Sequence, residues 1–150
     1  MTDIAAKHRL GIASDITIPA FLISVYLIFF LGEAPQSGEL ELTPAVQGLL
    51  TELAAETEVP FSASRGKTSW FQELDSGRSC TSCHTKSLEV RGRHQKTGKI
   101  IEPMARSINP SRLTERKKIK KWFLRNCKWT YGRVCTAQEK GDILLWLSSQ

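Results

Sequence analysis

The chain has 150 residues and a formal net charge of +6 at pH 7. The basic excess lies in its second part, because residues 85–150 hold sixteen Lys or Arg against five Asp or Glu, whereas residues 1–84 hold five against ten. No pair of residues resembles a catalytic acid and base, so we do not expect the chain to be an enzyme. The export signal described next argues against nucleic acid as a partner, because it places the basic part of the chain outside the cytoplasm.

An apolar segment near the N-terminus predicts a membrane anchor. Residues 16–31 (ITIPAFLISVYLIFFL) are almost entirely apolar, and their length approaches the roughly 17–25 residues that span a bilayer. Residues 7–9 (KHR) are basic, so the positive-inside rule places the N-terminus in the cytoplasm and the rest outside. Because residues 32–34 (GEA) make a poor cleavage site, we predict that residues 1–32 remain as a single-pass anchor in a bacterial inner membrane. The alternative is a removed signal peptide.

Residues 33–59 are predicted to form a tether that carries one short helix. Residues 33–43 (EAPQSGELELT) are rich in Pro, Gly, Ser and acidic residues, which is typical of a linker. Residues 43–58 fit a short helix with Pro44 at its first position and three leucines, Leu49, Leu50 and Leu53, along one side. The remaining residues, 60–150, are predicted to be a separate small domain.

The most specific motif in the chain is C-x-x-C-H, formed by Cys80, Cys83 and His84. It is the signature of haem c attachment, in which two thiols bond to the porphyrin and the His binds the iron. A thioredoxin-like redox pair is an alternative, but it requires a preceding strand. A zinc site with Cys127 and Cys135 is another, although structural zinc ligands usually come in pairs two to four residues apart. We therefore predict one covalent haem c.

Three helical segments are predicted around this motif, and strand signals are weak throughout. The first spans residues 62–74 or 64–74, and the second spans residues 114–125, with apolar residues at helical spacing on an otherwise basic helix. The third spans residues 136–148 and begins with the capping box Thr136-x-x-Glu139. Residues 89–106 lack helical periodicity and are expected to form a loop along the haem edge. The predicted fold is an all-α, class I-like cytochrome c domain.

Several residues could occupy the side of the iron opposite His84. Met104 would give a typical electron carrier, but it follows His84 by only twenty residues, which is a short path around a porphyrin. His94 lies among charged residues and is expected at the surface. Asn126, at the end of the predicted basic helix, lies forty-two residues after His84, although its ordinary role there would be a helix C-cap. Water is the remaining possibility.

Cys127 and Cys135 are the two cysteines that haem attachment leaves over. Haem c is attached outside the cytoplasmic membrane, and spare thiols in an oxidising compartment most often pair. We therefore predict a disulfide between them, closing a short loop beside Asn126.

Four longer motifs stand out in the last ninety residues or so: FSASRGK at 61–67, IEPMARSINPSR at 101–112, KKWFLRNC at 120–127 and GRVCTAQEKGDILLWL at 132–147. With these motifs this part of the chain resembles the SHP-type cytochromes c, high-spin monohaem proteins whose iron is held by His and by the Asn of an R-N-C motif. The resemblance implies that His84 is the proximal ligand, that Asn126 is the distal one and that Cys127 pairs with Cys135. It also implies displacement of Asn126 by a small diatomic ligand, and a dihaem cytochrome c and a membrane cytochrome b as partners. The N-terminal apolar segment and the acidic tether are not part of this pattern.

The densest basic run is RKKIKK at residues 116–121. It could steer an acidic redox partner or contact anionic lipid, and both effects would weaken with salt. A solvated helix face is the simpler interpretation.

The sequence as a whole predicts a membrane-tethered, periplasm-facing cytochrome that transfers electrons and binds a diatomic ligand in place of Asn126. One alternative is a low-spin electron-transfer subunit of a membrane redox or photosynthetic complex with Met104 as sixth ligand. Another is an accessory subunit that its membrane helix recruits.

Overall fold

The computed structural model describes residues 40–150. The membrane helix expected over residues 16–31 and most of the acidic linker lie outside the described residues. Within residues 40–150, no helix has both the length and the apolar character needed to cross a bilayer.

The described part of the chain contains five helices and one short β-ribbon. The helices are α1 (Pro44–Ala54), α2 (Ala63–Phe71), α3 (Thr81–His84), α4 (Arg116–Tyr131) and α5 (Ala137–Ser148). The ribbon pairs β1 (Gly92–Arg93) with β2 (Ile100–Ile101) in antiparallel register, and Gly92 lies opposite Ile101. The fold is mainly helical, but residues 89–106 are not simply a loop, since both strands lie in them. Strands of two residues are too short to produce an alternating sequence pattern.

Helix α1 packs on the rest of the domain. It begins as predicted with Pro44 at its first turn, and the Thr43 hydroxyl accepts a hydrogen bond from Val46 N at 3.2 Å. That same hydroxyl donates to the carbonyl of Leu113, seventy residues away. The inward side of the helix carries the buried residues Val46, Leu49 and Leu53, and it contacts α5 and α4. Residues that we expected within a tether therefore contribute to the hydrophobic core.

Helices α2 and α5 cross in direct backbone contact. A Cβ at Gly66 would lie 2.0 Å from the carbonyl oxygen of Asp142, so only glycine allows this approach. The buried Asp142 carboxylate accepts hydrogen bonds from Ser62 N at 2.6 Å and from Arg65 Nε at 2.8 Å, and Gln138 donates a third at 2.9 Å. This buried charge is therefore both paired and hydrogen-bonded, as a buried carboxylate must be.

The main core cluster lies between this crossing and the haem motif. It contains two tryptophans whose ring centroids are 5.4 Å apart, Trp70 of α2 and Trp146 of α5. The other buried members are Leu88, Ala105, Ile143 and Leu147. Trp70 and Trp146 were expected on these two helices, whereas Leu88 and Ala105 come from segments without periodicity.

Helix α4 is longer than the sequence pattern indicates. It continues to Tyr131 and ends at Gly132, which takes the left-handed conformation (φ 68°) that glycine tolerates at a helix C-terminus. Asn126 therefore lies inside the helix, and the C-cap role considered for it is wrong. Apolar periodicity fades after Leu124, which is why the prediction ended too early.

The predicted disulfide and capping box are both present. Cys127 and Cys135 are bonded, with their Cα atoms 5.6 Å apart. The bond joins the last turns of α4 to the residue just before Thr136, the N-cap of α5. Glu139 N donates to the Thr136 hydroxyl at 3.1 Å, and the Glu139 carboxylate accepts from Thr136 N at 2.8 Å.

We predict that Gly66→Ala destabilises the domain by about 2 kcal/mol or more, because the new methyl group would meet backbone that cannot rotate away. Gly48→Ala in α1 is the matched control, since its Cβ would meet only the Arg116 side chain at 3.6 Å. That change should be neutral or stabilising by up to about 1 kcal/mol. Urea unfolding of the holoprotein measures both, and equal effects of the two changes would contradict the crossing.

We also predict that replacing Cys127 and Cys135 together by Ser lowers the free energy of unfolding by about 2–3 kcal/mol, because the bond closes a short loop. Alkylation of the unreduced wild-type protein should label neither thiol. An unchanged unfolding midpoint in the double variant would show that the bond adds no stability.

Candidate haem site

Cys80, Cys83 and His84 lie on the single turn of α3. Cys80 is its N-cap, and the Cys80 carbonyl accepts hydrogen bonds from Cys83 N at 3.3 Å and from His84 N at 3.1 Å. The turn stops at Thr85, whose φ of 63° takes the backbone out of the helix. The helical turn therefore brings the two thiols and the imidazole of the motif close together.

The β-ribbon packs directly against this turn. A Cβ at Gly92 would lie 2.1 Å from the Cys83 carbonyl oxygen, so the close approach requires glycine. The backbone N of Gln95 lies 3.5 Å from Cys83 Sγ, within range of a weak hydrogen bond to sulfur. The ribbon thus fixes the side of α3 on which Cys83 lies.

The His84 imidazole is held against Trp70 of the core, with ring centroids 5.1 Å apart. Its Nδ1 atom is buried and makes no hydrogen bond to the described residues. Burial, with a smaller contribution from the positive charge of Arg112, lowers the pKa of His84 to about 4. The imidazole is therefore neutral at physiological pH, which is the state that binds iron.

The two motif cysteines are not bonded to each other. Burial raises the pKa of Cys80 to about 12, whereas a redox-active cysteine needs a depressed value. No βαβ unit is found in residues 40–150, which further opposes the thioredoxin-like alternative. Within the same residues no cluster of three His, Cys, Asp or Glu could hold a metal ion, and Cys127 and Cys135 are bonded to each other, so the zinc alternative fails.

These residues fit a haem c. The two thiols can form the thioether bonds, and the neutral imidazole of His84 has a buried ring nitrogen without a protein partner. Trp70 and Gly92 contribute to the site but were not predicted as site residues. Nothing in an isolated Gly or Trp indicates such a role, because both act through contacts with α3 that form only in the fold.

The C-terminal half of α4 lies close to the haem motif. Arg78, two residues before Cys80, donates from Nη1 to the Trp129 carbonyl at 3.0 Å and stacks on the Trp129 ring. Tyr131 donates from its hydroxyl to the Ser69 carbonyl of α2 at 3.2 Å. Asn126 lies one turn before these contacts and shares the helix face of the buried Ile119 and Thr130, although its own side chain is exposed.

The other two candidates for the sixth position have structural roles of their own. Met104 is half-buried against the main core cluster, and its backbone N donates to the Leu88 carbonyl at 2.8 Å. His94 lies in the turn of the β-ribbon, where its Nδ1 accepts a hydrogen bond from Thr97 N at 3.1 Å. His94 is therefore occupied in a local turn.

Arg112 is a further residue near the site that the sequence did not single out. It lies in the region leading to α4, and its Nε donates to the Pro103 carbonyl at 2.8 Å. Burial lowers its pKa, and its charge reaches His84. Its guanidinium thereby connects the segment that carries Met104 to the surroundings of His84.

Comparison with known proteins gives consistent matches. Residues 56–147 match the family described as Domain of unknown function (DUF1924). The chain is 37% identical over 106 residues to the cytochrome c-type protein SHP of Cereibacter sphaeroides, covering 68% of this chain and 81% of that protein. It is 32% identical over 71 residues to cytochrome c'' of Methylophilus methylotrophus, covering 47% of this chain and 49% of that one.

Solved structures agree with these sequence matches. One, described as oxidized SHP, an oxygen binding cytochrome c, superposes with a TM-score of 0.65 at 36% identity, covering 73% of this chain and 100% of that one. Oxidized cytochrome c'' from Methylophilus methylotrophus superposes with a TM-score of 0.57 at 27% identity, covering 69% and 92%. The chain therefore belongs to the SHP-type cytochromes c, and its cofactor is one covalently attached haem c.

Proposed function

We propose that this cytochrome transfers electrons and binds a small diatomic ligand at its haem iron when Asn126 leaves the sixth coordination position. The observation that carries the proposal is the place of Asn126: it lies inside α4, on the helix face that also carries the buried residues Ile119 and Thr130, in the half of the helix tied to the haem motif through Arg78. A solved relative described as an oxygen binding cytochrome c supports the same reading.

The haem, once bound, supplies the redox-active iron. Cys80 and Cys83 would hold it through thioether bonds, and His84, which packs on Trp70, would bind the iron. Because that imidazole is buried and neutral, it needs no deprotonation to act as a ligand.

Asn126 suits a replaceable ligand for two reasons. A neutral side-chain amide binds iron weakly compared with imidazole or thiolate, so a diatomic molecule can compete with it. The neighbouring Cys127 is bonded to Cys135, which restricts the backbone next to the amide. Asn126 can thus return to the same position after it has been displaced.

Met104 is the alternative sixth ligand, and its packing argues against it. Its side chain contacts the cluster that contains Trp70, the residue that packs on the proximal His84. Met104 would therefore have to leave this cluster to become a second ligand of an iron held by His84. A low-spin electron carrier with Met104 as ligand is therefore the weaker proposal.

We further propose that residues 1–32 tether the domain to the inner membrane, with the haem in the periplasm. The disulfide supports an oxidising compartment, and the apolar run at residues 16–31 supports the tether. The proposed partners are redox proteins, namely a dihaem cytochrome c and a membrane cytochrome b.

We predict that the double variant Cys80→Ala, Cys83→Ala carries no covalent haem, because both thioether bonds are lost. Peroxidase staining after denaturing electrophoresis measures this. The double variant Cys127→Ser, Cys135→Ser is the matched control and should keep its stained band. Staining that survives loss of Cys80 and Cys83 would refute the attachment.

We predict that Asn126→Ala changes the ferric absorption spectrum and leaves the haem attached. If Asn126 occupies the iron about nine-tenths of the time, its removal should raise the apparent ferric affinity for azide or imidazole about tenfold. Met104→Leu, which conserves volume in the core, should do little to either measurement.

The opposite pair of spectral results would favour Met104 as the sixth ligand. A low-spin spectrum that becomes high-spin in Met104→Leu, with no spectral change in Asn126→Ala, would assign the sixth position to Met104 and end the proposal of ligand displacement.

A further inference from the structure

The solvent-facing side of α4 carries a row of cations without acidic partners. We call Lys117, Lys121, Arg125 and Lys128 the outer stripe. They recur every three or four residues and so share one face of the helix. Within residues 40–150, none of these four side chains forms an ion pair. The opposite face carries the buried residues Ile119, Cys127 and Thr130.

The other cations of the basic run are used within the molecule. Arg116 and Lys120 both pair with Glu52 of α1, and Lys118 pairs with Glu115 one turn away. The structure thus separates a continuous basic run into cations that pair within the molecule, two of them with α1, and cations that make no ion pair. Only the second group leaves its charge available to another molecule.

A tryptophan beside the outer stripe provides apolar surface. Trp122 is 47% exposed, although large aromatic side chains are normally buried. Lys121 Nζ lies 5.5 Å and the Arg125 guanidinium 5.7 Å from its ring centroid, within the range of cation–π contact. Trp and Arg are among the residues that contribute most of the binding energy at protein interfaces, and here one of each lies at the surface side by side.

We propose that the outer stripe and Trp122 form the docking surface for an acidic patch on a partner protein. That the partner is a redox protein rests on the proposed function, whereas the docking surface itself does not. Trp122 lies one helical turn before Asn126, so a partner bound there would approach the helix that carries the proposed iron ligand. Four unpaired cations select negative charge, and Trp122 supplies the apolar contact at the edge of the patch.

The arrangement favours a protein over a lipid surface. A helix that enters the membrane interface groups its apolar residues on one face and keeps its cations beside it. The two large exposed apolar residues of α4, Trp122 and Leu124, are two positions apart, so their directions around the helix axis differ by about 160°. They flank the outer stripe and cannot enter a membrane together.

The test measures binding of the holoprotein to two defined peptides of equal length. One consists of Glu residues with a single central Phe, and the other has Ala at that place. Lys117→Glu with Lys121→Glu should weaken binding of both by about tenfold or more. Lys67→Glu with Lys96→Glu is the matched control, since it changes the net charge equally at exposed positions elsewhere and should weaken binding clearly less.

Trp122 is tested separately from charge. The wild-type protein should bind the Phe peptide about two- to tenfold more tightly than the Ala peptide, as expected for an aromatic contact. Trp122→Ala should remove this preference and leave the affinity for the Ala peptide unchanged. These results are independent of the iron ligand, so they stand or fall separately from the Asn126 experiments.

Two outcomes would overturn the proposal. Equal weakening by the two charge-reversal pairs would show that binding follows net charge and has no localised surface. Vesicles containing phosphatidylglycerol that bind more tightly than either peptide, with the same dependence on Lys117, Lys121 and Trp122, would make the surface a membrane contact.

Discussion

The crossing of α2 and α5 at Gly66 is the constraint on which the rest of the site depends. Backbone meets backbone there, and the buried carboxylate of Asp142 accepts hydrogen bonds from Ser62 and Arg65 on the opposing segment. This contact sets the position of Trp70 one turn further along α2. Trp70 in turn packs on His84, so a glycine with no chemistry of its own decides where the imidazole proposed to bind the iron lies.

Helix α4 is placed by a second set of contacts, which act on its two ends. Glu52 of α1 pairs with cations in the first turns, while Arg78, Tyr131 and the bond from Cys127 hold the last turns. Because both ends are fixed, one helix can carry Asn126 on the face of its buried residues and a row of cations on the opposite face. The proposed ligand exchange and the proposed docking surface therefore share a single rigid element.

The sequence predicted the helical elements well and their ends less well. Helix starts were readable, because Thr43, Thr136 and Pro44 have local capping or steric roles that depend on the next few residues only. The end of α4 was missed because its last turns are held by a disulfide and by Arg78 rather than by apolar periodicity. The β-ribbon was missed because two paired residues leave no periodic signal.

The sequence by itself determined the covalent chemistry. The C-x-x-C-H motif holds a haem with residues that are neighbours in the chain. Once its two cysteines are assigned to the haem, the two remaining cysteines are left to form the disulfide. Only the tertiary structure decided which long-range contacts these residues make. It placed Asn126 inside a helix, Met104 half-buried against the core, and Lys117 in solvent while Lys120 pairs with Glu52. The physical reason is that such roles depend on neighbours brought together by packing, and those neighbours lie tens of residues away along the chain.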